Sequence, residues 1–208
     1  MIHARLSDAA QWSGAEIFDQ DAEFSGIEID SRKITPGSLF IALTGAHHDG
    51  HDHLDEAQSR GAVAAFVARP VTASLPLLIA KDTVPALGRL ATAWRRRFQL
   101  PVIAVLGSNG KTTVKELIAT ILRQQNGDTV LATQGNQNNA LGVPLTLFRL
   151  GSQHRAAVLE VGANGYGEIA TVSDMAKPDI AVITNAGLDH LAGCGGREGA
   201  ARANGEVF

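Results

Sequence analysis

The first part of the chain alternates short apolar runs with polar segments. The apolar runs have the length of single β-strands and lie at residues 26–30, 38–43, 62–67 and 77–80. Between them, residues 53–60 have helical character, and Gly61 follows as a residue that can end a helix. Because strands and helical segments alternate, we predict a small α/β domain over residues 1–82.

A single amphipathic segment follows this domain. Asp82 or Thr83 can cap a helix, and Pro101 stops it. Apolar side chains then recur at intervals of three and four residues, which predicts one buried stripe: Val84, Leu87, Ala91, Trp94 and Phe98. We assign residues 83–100 to a connecting helix whose last turn carries Arg95, Arg96 and Arg97, since cations are favoured at a helix C-terminus.

Residues 101–208 show a different pattern of apolar residues, in which continuous apolar runs precede amphipathic helices. The runs lie at 102–106, 156–161 and 180–184, and the helices at 111–125 and 167–175. The first of these helices has an apolar face formed by Val114, Leu117, Ile118, Ile121 and Leu122. Continuous apolar strands are typical of a parallel sheet covered on both faces. The predicted fold is therefore α/β, with a small N-terminal α/β domain (1–82) followed by a parallel-sheet domain (101–208).

Composition narrows the class of protein. The net charge is −3, 45% of residues are hydrophobic and 19% are charged, so no basic surface for nucleic acid is indicated. Cys194 is the single cysteine, which excludes an intrachain disulfide and fits a reducing compartment. No apolar run approaches the roughly 20 residues of a membrane helix. We expect a cytoplasmic monomer without membrane insertion.

The strongest chemical motif follows the strand at 102–106. A glycine-rich turn between a buried strand and a helix directs backbone N–H groups at a phosphate, and the helix N-terminus adds partial positive charge. Lys111 would reach the β and γ phosphates, and the Thr112 hydroxyl would hold Mg²⁺. Val105 stands where the general pattern has an earlier glycine, so the match is partial. We predict ATP and Mg²⁺ as cofactors, bound by Gly107, Ser108, Asn109, Gly110, Lys111, Thr112 and Thr113.

Two further sites carry suitable chemistry. Glu160 stands at the carboxyl end of a buried strand, where α/β sheets place ligands. Arg32 follows a strand, and its guanidinium can bind two oxygens of a pyrophosphate. A third cluster lacks the spacing of a zinc site, and we interpret it as a solvated loop: His47, His48, His51 and His53 with Asp49, Asp52 and Asp55.

Several stretches together resemble one known family. They are Gly107–Thr113, Gly135–Pro144, Leu159–Asn164 with Gly167–Ile169, Thr184-Asn185 with Asp189–Leu191, and Asp30–Leu43 with Asp49–His51. The first four resemble successive motifs of the Mur ligases of bacterial cell-wall synthesis, which share the shortened phosphate loop. The last resembles the uridine-nucleotide-binding domain of two members of that family.

The resemblance implies an ATP-dependent ligase of peptidoglycan synthesis, and hence a role in cell shape and cell division. Within the family, Asn138-Asn139 and Gly162–Asn164 favour the member that joins D-alanyl-D-alanine to UDP-N-acetylmuramoyl-tripeptide through an acyl phosphate. By resemblance, the substrates would be bound by Asp30, Ser31, Arg32, Asn138 and Asn139. The catalytic residues would be Lys111, Glu160 and His190, and Mg²⁺ would be held by Thr112, Glu160 and His190.

The sequence also departs from the family pattern. Asn204 stands where the family has a lysine that is carbamylated and helps to hold a second metal, Gly165 replaces a usual histidine, and Ala192 replaces a frequent acid. An asparagine amide cannot be carbamylated. An inactivated copy, a sequence error and a one-metal site all remain open. Family members are longer and carry a third, Rossmann-like domain. By resemblance, we expect residues 101–208 to be an incomplete P-loop ATPase-type domain, and the chain to be an N-terminal part that is inactive alone.

Two alternatives to this ligase remain. One is a nucleotide-binding protein of Mur type that has no ligase activity. The other is the Mur ligase that adds the third residue of the peptide.

Overall fold

The computed structural model describes residues 1–46, 48–162, 165–187 and 196–208. The chain divides into two compact units, Met1–Trp94 and Arg95–Phe208, called here the first and second units. Each has its own sheet.

The first unit is built on a five-stranded sheet. Its strands are β2 (Glu16–Phe18), β4 (Ile27–Glu28), β5 (Leu39–Ile41), β6 (Ala64–Val67) and β7 (Leu77–Ile79), in the order β2-β7-β6-β5-β4. The last four are parallel to one another, and β2 pairs with β7 in the antiparallel sense. A separate antiparallel pair is formed by β1 (His3–Arg5) and β3 (Glu23–Ser25).

Helices complete the first unit. They are α1 (Leu6–Ser13), α2 (Leu54–Ser59) and α3 (Thr83–Arg95), whose last residue already belongs to the second unit, with short 3₁₀ turns at Ser31–Lys33 and Gly50–His53. Strands β5 and β6 are buried along their whole length, as continuous apolar runs in a covered parallel sheet should be. The predicted strands of this unit are confirmed with shorter bounds, whereas β1, α1, β2 and β3 were not predicted.

Helix α3 corrects one detail of the predicted stripe. Leu87, Ala91 and Trp94 are buried as expected, but Val84 is 37% exposed. The helix ends at Arg95, so Phe98 lies beyond it. Arg95 donates to the carbonyl oxygens of Phe98 and Ala176, at 2.7 and 3.0 Å, and thereby satisfies backbone groups outside the helix.

The second unit contains a four-stranded parallel sheet. Its strands are β8 (Val102–Leu106), β9 (Val130–Ala132), β10 (Ala156–Glu160) and β11 (Ile180–Ile183), in the order β11-β8-β10-β9. The helices are α4 (Lys111–Asn126), α5 (Gly142–Leu147), α6 (Glu168–Ala176) and α7 (Arg197–Gly205). Glu160 pairs in register with Val105, and Ile183 with Leu106, so three strands end at one edge of the sheet.

The apolar face of helix α4 is narrower than predicted. Val114, Ile118 and Leu122 pack against the core of β8, β9 and β10. Leu117 and Ile121 are 58% and 62% exposed, so they are not part of the buried stripe. Among the described residues, no helix is both long enough and apolar enough to cross a bilayer.

Candidate functional site

The turn from β8 into α4 is tight and requires glycine. Gly107 has a φ of +117° and Gly110 a φ of +79°. A Cβ at Gly107 would lie 2.3 Å from the Thr184 hydroxyl oxygen and 2.9 Å from the Asn185 carbonyl oxygen. Both the backbone conformation and the close approach of the segment after β11 therefore exclude a side chain at residue 107.

The segment after β11 holds this loop in place. The Asn185 side chain accepts a hydrogen bond from Asn109 N at 3.1 Å and donates to Asn109 O at 3.0 Å. The Thr184 hydroxyl donates to the same oxygen at 2.7 Å, and Gly187 N donates to the Ser108 hydroxyl at 2.8 Å. The sequence places Thr184-Asn185 in a motif but predicts no role for these two residues. The structure shows that they fix the loop backbone.

Lys111 lies over the loop that precedes it. Its ammonium donates to Gly107 O at 2.6 Å and to Ser108 O at 2.9 Å. An ammonium has three donors, so one N–H remains for an anion. The loop carbonyls thus orient the charge of Lys111 above the turn that was predicted to bind phosphate.

Glu160 is the carboxylate that faces the loop, and it is only 3% exposed. One carboxylate oxygen accepts from the Thr112 hydroxyl at 2.8 Å, and the other accepts from Asn138 Nδ2 at 3.0 Å. Its backbone N–H donates to the Thr133 hydroxyl at 3.0 Å. Residues that are far apart in the sequence therefore meet at one buried carboxylate.

The oxygen atoms at this point suit a magnesium ion. Thr112 offers a hydroxyl and Glu160 a carboxylate, and Mg²⁺ prefers oxygen ligands while keeping several waters. Within the described ranges there is no group of three or more His, Cys, Asp or Glu side chains placed to hold a metal. His190, predicted as a further ligand, lies outside the described residues, as do Asn164 and Ala192.

The two neighbouring asparagines have different contacts. The side-chain amide of Asn138 donates to Glu160, and the backbone carbonyl oxygen of Asn138 accepts from Gly162 N at 2.8 Å. The Asn139 side-chain oxygen instead accepts from the backbone N–H groups of Leu141 and Gly142, at 3.1 and 2.9 Å, and so caps the start of α5. Asn138 therefore binds the carboxylate that accepts from Thr112, whereas Asn139 stabilises the start of a helix.

Asn204 is buried in α7, with 4% of its surface exposed. Its Nδ2 donates to Ala200 O one turn earlier, at 2.8 Å. The amide is thus satisfied within its own helix.

The first unit carries the other predicted site. Asp30, Ser31 and Arg32 follow β4 and line a cavity of about 470 Å³ with Phe40, His48 and Glu56. Arg32 binds Asp30 through two nitrogens, at 2.8 and 2.9 Å, and this contact holds the pKa of Asp30 well below its ordinary value. The Ser31 hydroxyl donates to Glu56 at 2.6 Å. The side chain of Arg32 is 76% exposed, so its charge can be reached from solvent.

The histidine-rich loop next to this cavity was interpreted as solvated, and for His51 that is wrong. His51 is 7% exposed. Its Nδ1 hydrogen bonds to Asp49, and its Nε2 accepts from Ala68 N at 3.0 Å. Because Nε2 accepts a hydrogen bond, the ring proton belongs on Nδ1, and His51 ties the loop to the end of β6. His47 lies outside the described residues.

Two models of protein families match parts of this chain. Residues 105–208 match the model described as "Mur ligase middle domain". Residues 23–96 match the model described as "Mur ligase family, catalytic domain".

Individual relatives have consistent names. The chain is 44% identical over 208 residues to the UDP-N-acetylmuramoyl-tripeptide–D-alanyl-D-alanine ligase of Escherichia coli K12, covering 100% of this chain and 46% of that protein. It is 40% identical over 186 residues to the enzyme of the same name from Bacillus subtilis 168, covering 88% of this chain and 40% of the relative. The chain thus spans less than half the length of these relatives.

Solved structures agree with the fold. A crystal structure of MurF from Acinetobacter baumannii superposes with a TM-score of 0.92 at 37% identity, covering 100% of this chain and 46% of that one. MurF ligase from Thermotoga maritima in complex with ADP gives a TM-score of 0.79 at 34% identity, covering 88% of this chain and 42% of its own.

Proposed function

Because this chain belongs to the Mur ligase family, we propose that it provides the nucleotide-binding part of a UDP-N-acetylmuramoyl-tripeptide–D-alanyl-D-alanine ligase. The relatives that it matches over its whole length carry this name, and a similar solved structure holds ADP. The arrangement of Lys111, Thr112 and Glu160 around one turn is the observation on which the proposal depends.

The proposed reaction joins a carboxylate to an amine. A carboxylate is a poor acyl donor, so the γ-phosphoryl group of ATP is first transferred to a carboxylate oxygen, which gives an acyl phosphate and ADP. The amine of D-alanyl-D-alanine then attacks the carbonyl carbon, and inorganic phosphate leaves. Both reactants of the first step are anionic, so positioning and charge neutralisation are the main demands on the protein.

The residues of this chain meet those demands in distinct ways. Backbone N–H groups of the loop and the ammonium of Lys111 would bind the phosphates. Thr112 and Glu160 would hold Mg²⁺, which neutralises phosphate charge when bound. Asn138 fixes the orientation of the Glu160 carboxylate. In the first unit, Arg32 would bind the diphosphate of the uridine nucleotide, with Asp30 and Ser31 shaping the cavity.

The cellular assignment follows from this activity. A ligase of this kind would act on a nucleotide-linked precursor in the cytoplasm and would support cell shape and division. We also assign it no nucleic-acid partner, and we place its action in a monomer.

Replacement of Lys111 tests the phosphate loop directly. Lys111→Ala removes the ammonium that Gly107 O and Ser108 O orient, so we expect the affinity for Mg²⁺-ADP and Mg²⁺-ATP to fall about tenfold or more. Isothermal titration calorimetry measures both. Lys81→Ala, at an exposed lysine of the first unit, is the matched control and should bind like the unchanged chain. Equal affinities for Lys111→Ala and the unchanged chain would remove the basis of the assignment.

A second candidate function is nucleotide binding without ligation. Asn204 favours it, because its amide is buried and bonded to Ala200 O and cannot be carbamylated. For the 208-residue chain we expect nucleotide binding but no phosphate release when D-alanyl-D-alanine and the uridine-linked tripeptide are added. Dipeptide-dependent phosphate release in a coupled assay would rule this candidate out.

A further inference from the structure

Lys115 is a buried cation that plays no part in the phosphate loop described above. It lies one turn after Lys111 in α4 and is only 2% exposed. Its ammonium donates to Glu116 Oε1 at 2.6 Å and to Thr133 O at 2.9 Å. The Glu116 side chain is 54% exposed, so the cation is far more buried than its counterion. A buried charge is costly to retain, and an apolar side chain of similar volume often serves stability as well or better.

The second contact of Lys115 leads toward the candidate site. Thr133 follows β9 and is 1% exposed. Its N–H donates to Val158 O at 3.1 Å, its carbonyl accepts from Lys115, and its hydroxyl accepts from Glu160 N at 3.0 Å. Thr133 therefore makes three hydrogen bonds. One of them is to the backbone N–H of Glu160, whose carboxylate binds Thr112.

The same threonine begins the segment that carries Asn138. Residues 134–138 run from Thr133 to the amide that binds the other oxygen of Glu160. A fixed Thr133 carbonyl therefore limits the position of Glu160 in two ways. The Thr133 hydroxyl binds the Glu160 backbone, and Asn138, at the end of the same segment, binds the Glu160 carboxylate. Lys115 does so without touching the Glu160 carboxylate.

We propose that Lys115 is a positioning residue that acts through Thr133 to set the Glu160 carboxylate against Thr112, and so controls how strongly Mg²⁺ supports nucleotide binding. This inference rests on the proposed function, since it takes the loop as a nucleotide site and Thr112 with Glu160 as the metal ligands. It assigns to Lys115 a role that a packing residue would not have.

The test compares nucleotide affinity with and without the metal. We would measure ADP binding by calorimetry in Mg²⁺ and again in EDTA, for the unchanged chain and for Lys115→Met, whose side chain is close in length but has no donor. We expect affinity in EDTA to change by less than about twofold, because Lys111 and the loop amides are untouched. The gain in affinity from Mg²⁺ should fall about tenfold, because Thr133 O loses a charged donor.

Further variants separate positioning from packing and from charge. Glu116→Gln keeps the bond from Lys115 to Thr133 and should retain the Mg²⁺ gain. Lys115→Arg keeps a buried cationic donor and should restore most of it. Thr133→Val should lose the gain as Lys115→Met does, and the double variant should be no worse than either single one, since coupled residues in one network are non-additive.

These measurements separate a failure of the proposed metal site from a failure of the inference about Lys115 alone. If the unchanged chain binds ADP equally in Mg²⁺ and EDTA, the proposed metal site is wrong and the inference falls with it. If the unchanged chain responds to Mg²⁺ and Lys115→Met responds equally, only the inference is wrong. If Lys115→Met fails to fold, Thr133→Val decides instead: a folded Thr133→Val chain that keeps the full Mg²⁺ gain would overturn the proposal.

Discussion

Single atoms decide whether the phosphate loop can form. At Gly107, one added carbon would meet the Thr184 hydroxyl oxygen at 2.3 Å, and it would do so from a backbone conformation that other residues rarely adopt. The loop therefore depends on the absence of a side chain as much as on the presence of Lys111. Both requirements belong to individual residues rather than to the sheet that carries them.

Gly107→Ala should therefore disrupt the site more than its size suggests. We expect the free energy of unfolding of the second unit to fall by about 1–3 kcal/mol and ADP binding to be lost, because the loop must move away from Thr184 and Asn185. Urea unfolding followed by circular dichroism, together with ADP calorimetry, measures both effects. Gly205→Ala is the matched control, since nothing lies within 4 Å of its added carbon. Normal ADP binding by Gly107→Ala would show that the loop tolerates a side chain.

Asp49 makes the stability of the first unit depend on pH. Hydrogen bonds from the His51 backbone N–H, the His51 ring and Arg69 hold the pKa of Asp49 well below its ordinary value of 3.8. A carboxyl whose pKa is lower in the folded chain stabilises the fold above the unfolded pKa. That stabilisation is lost as the pH falls below about 4 toward the folded pKa.

We expect Asp49→Asn to lower the melting temperature at pH 7 and to flatten its decrease as the pH is lowered from 5 to 2. Tryptophan fluorescence suits the measurement, because the chain has two tryptophans, and both Trp12 and Trp94 lie in the first unit. Asp52→Asn, at an exposed aspartate of the same loop that accepts none of these bonds, is the matched control. A curve for Asp49→Asn that runs parallel to that of the unchanged chain would exclude this role.

At the scale of elements, the long apolar patterns of the second unit were predictable, whereas only some of the short elements were. Strands β8, β10 and β11 and helix α4 follow from continuous runs and helical periodicity. Strand β9, of three residues, and helix α5, of six, were not predicted. Strand β5 and helix α2 have the same lengths and were predicted, so length alone does not decide whether an element shows in the sequence.

The candidate site divides in the same way. The loop itself is a local motif, and Gly107–Thr113 could be predicted from consecutive residues. The contacts of Asn185 with Asn109 and of Asn138 with Glu160 join distant parts of the chain. They depend on which strands become neighbours, and periodicity does not show that. Lys115 is a different case, because its spacing from Ile118, Ala119 and Leu122 puts it on the buried face of α4. A lysine is rarely fully buried without partners, so its burial depends on its tertiary contact with Thr133 O.

A substitution at the start of helix α5 tests whether Asn139 caps the helix or binds a substrate. Asn139→Ala removes the oxygen that accepts from Leu141 N and Gly142 N, so we expect the free energy of unfolding to fall by about 1 kcal/mol. ADP affinity should change little, because Glu160 keeps Asn138. Asn139→Asp keeps a capping oxygen and should recover the stability, measured by urea unfolding. Full stability in Asn139→Ala would argue that the side chain serves a ligand instead.

For the whole molecule, the two units have separate cores and carry separate candidate sites. The cavity beside Asp30 belongs to the first unit, and the phosphate loop belongs to the second. A ligand that binds only the native state stabilises the unit that binds it, by about 2.7 kcal/mol when present at 100 times its dissociation constant. Ligand-induced protection can therefore assign each ligand to a unit without any assay of catalysis.

We expect uridine diphosphate to slow amide hydrogen exchange in peptides from β5 and β6, and Mg²⁺-ADP to slow it in peptides from β8 and β10. Arg32→Ala should abolish the first effect and leave the second, because it removes the guanidinium that would bind the diphosphate. Lys111→Ala should do the reverse. Mass spectrometry of the exchanged chain resolves both sets of peptides in one experiment. If uridine diphosphate protected β8 and β10, and Lys111→Ala removed that protection, the phosphate loop would be the site of both nucleotides and the assignment of Arg32 would be wrong.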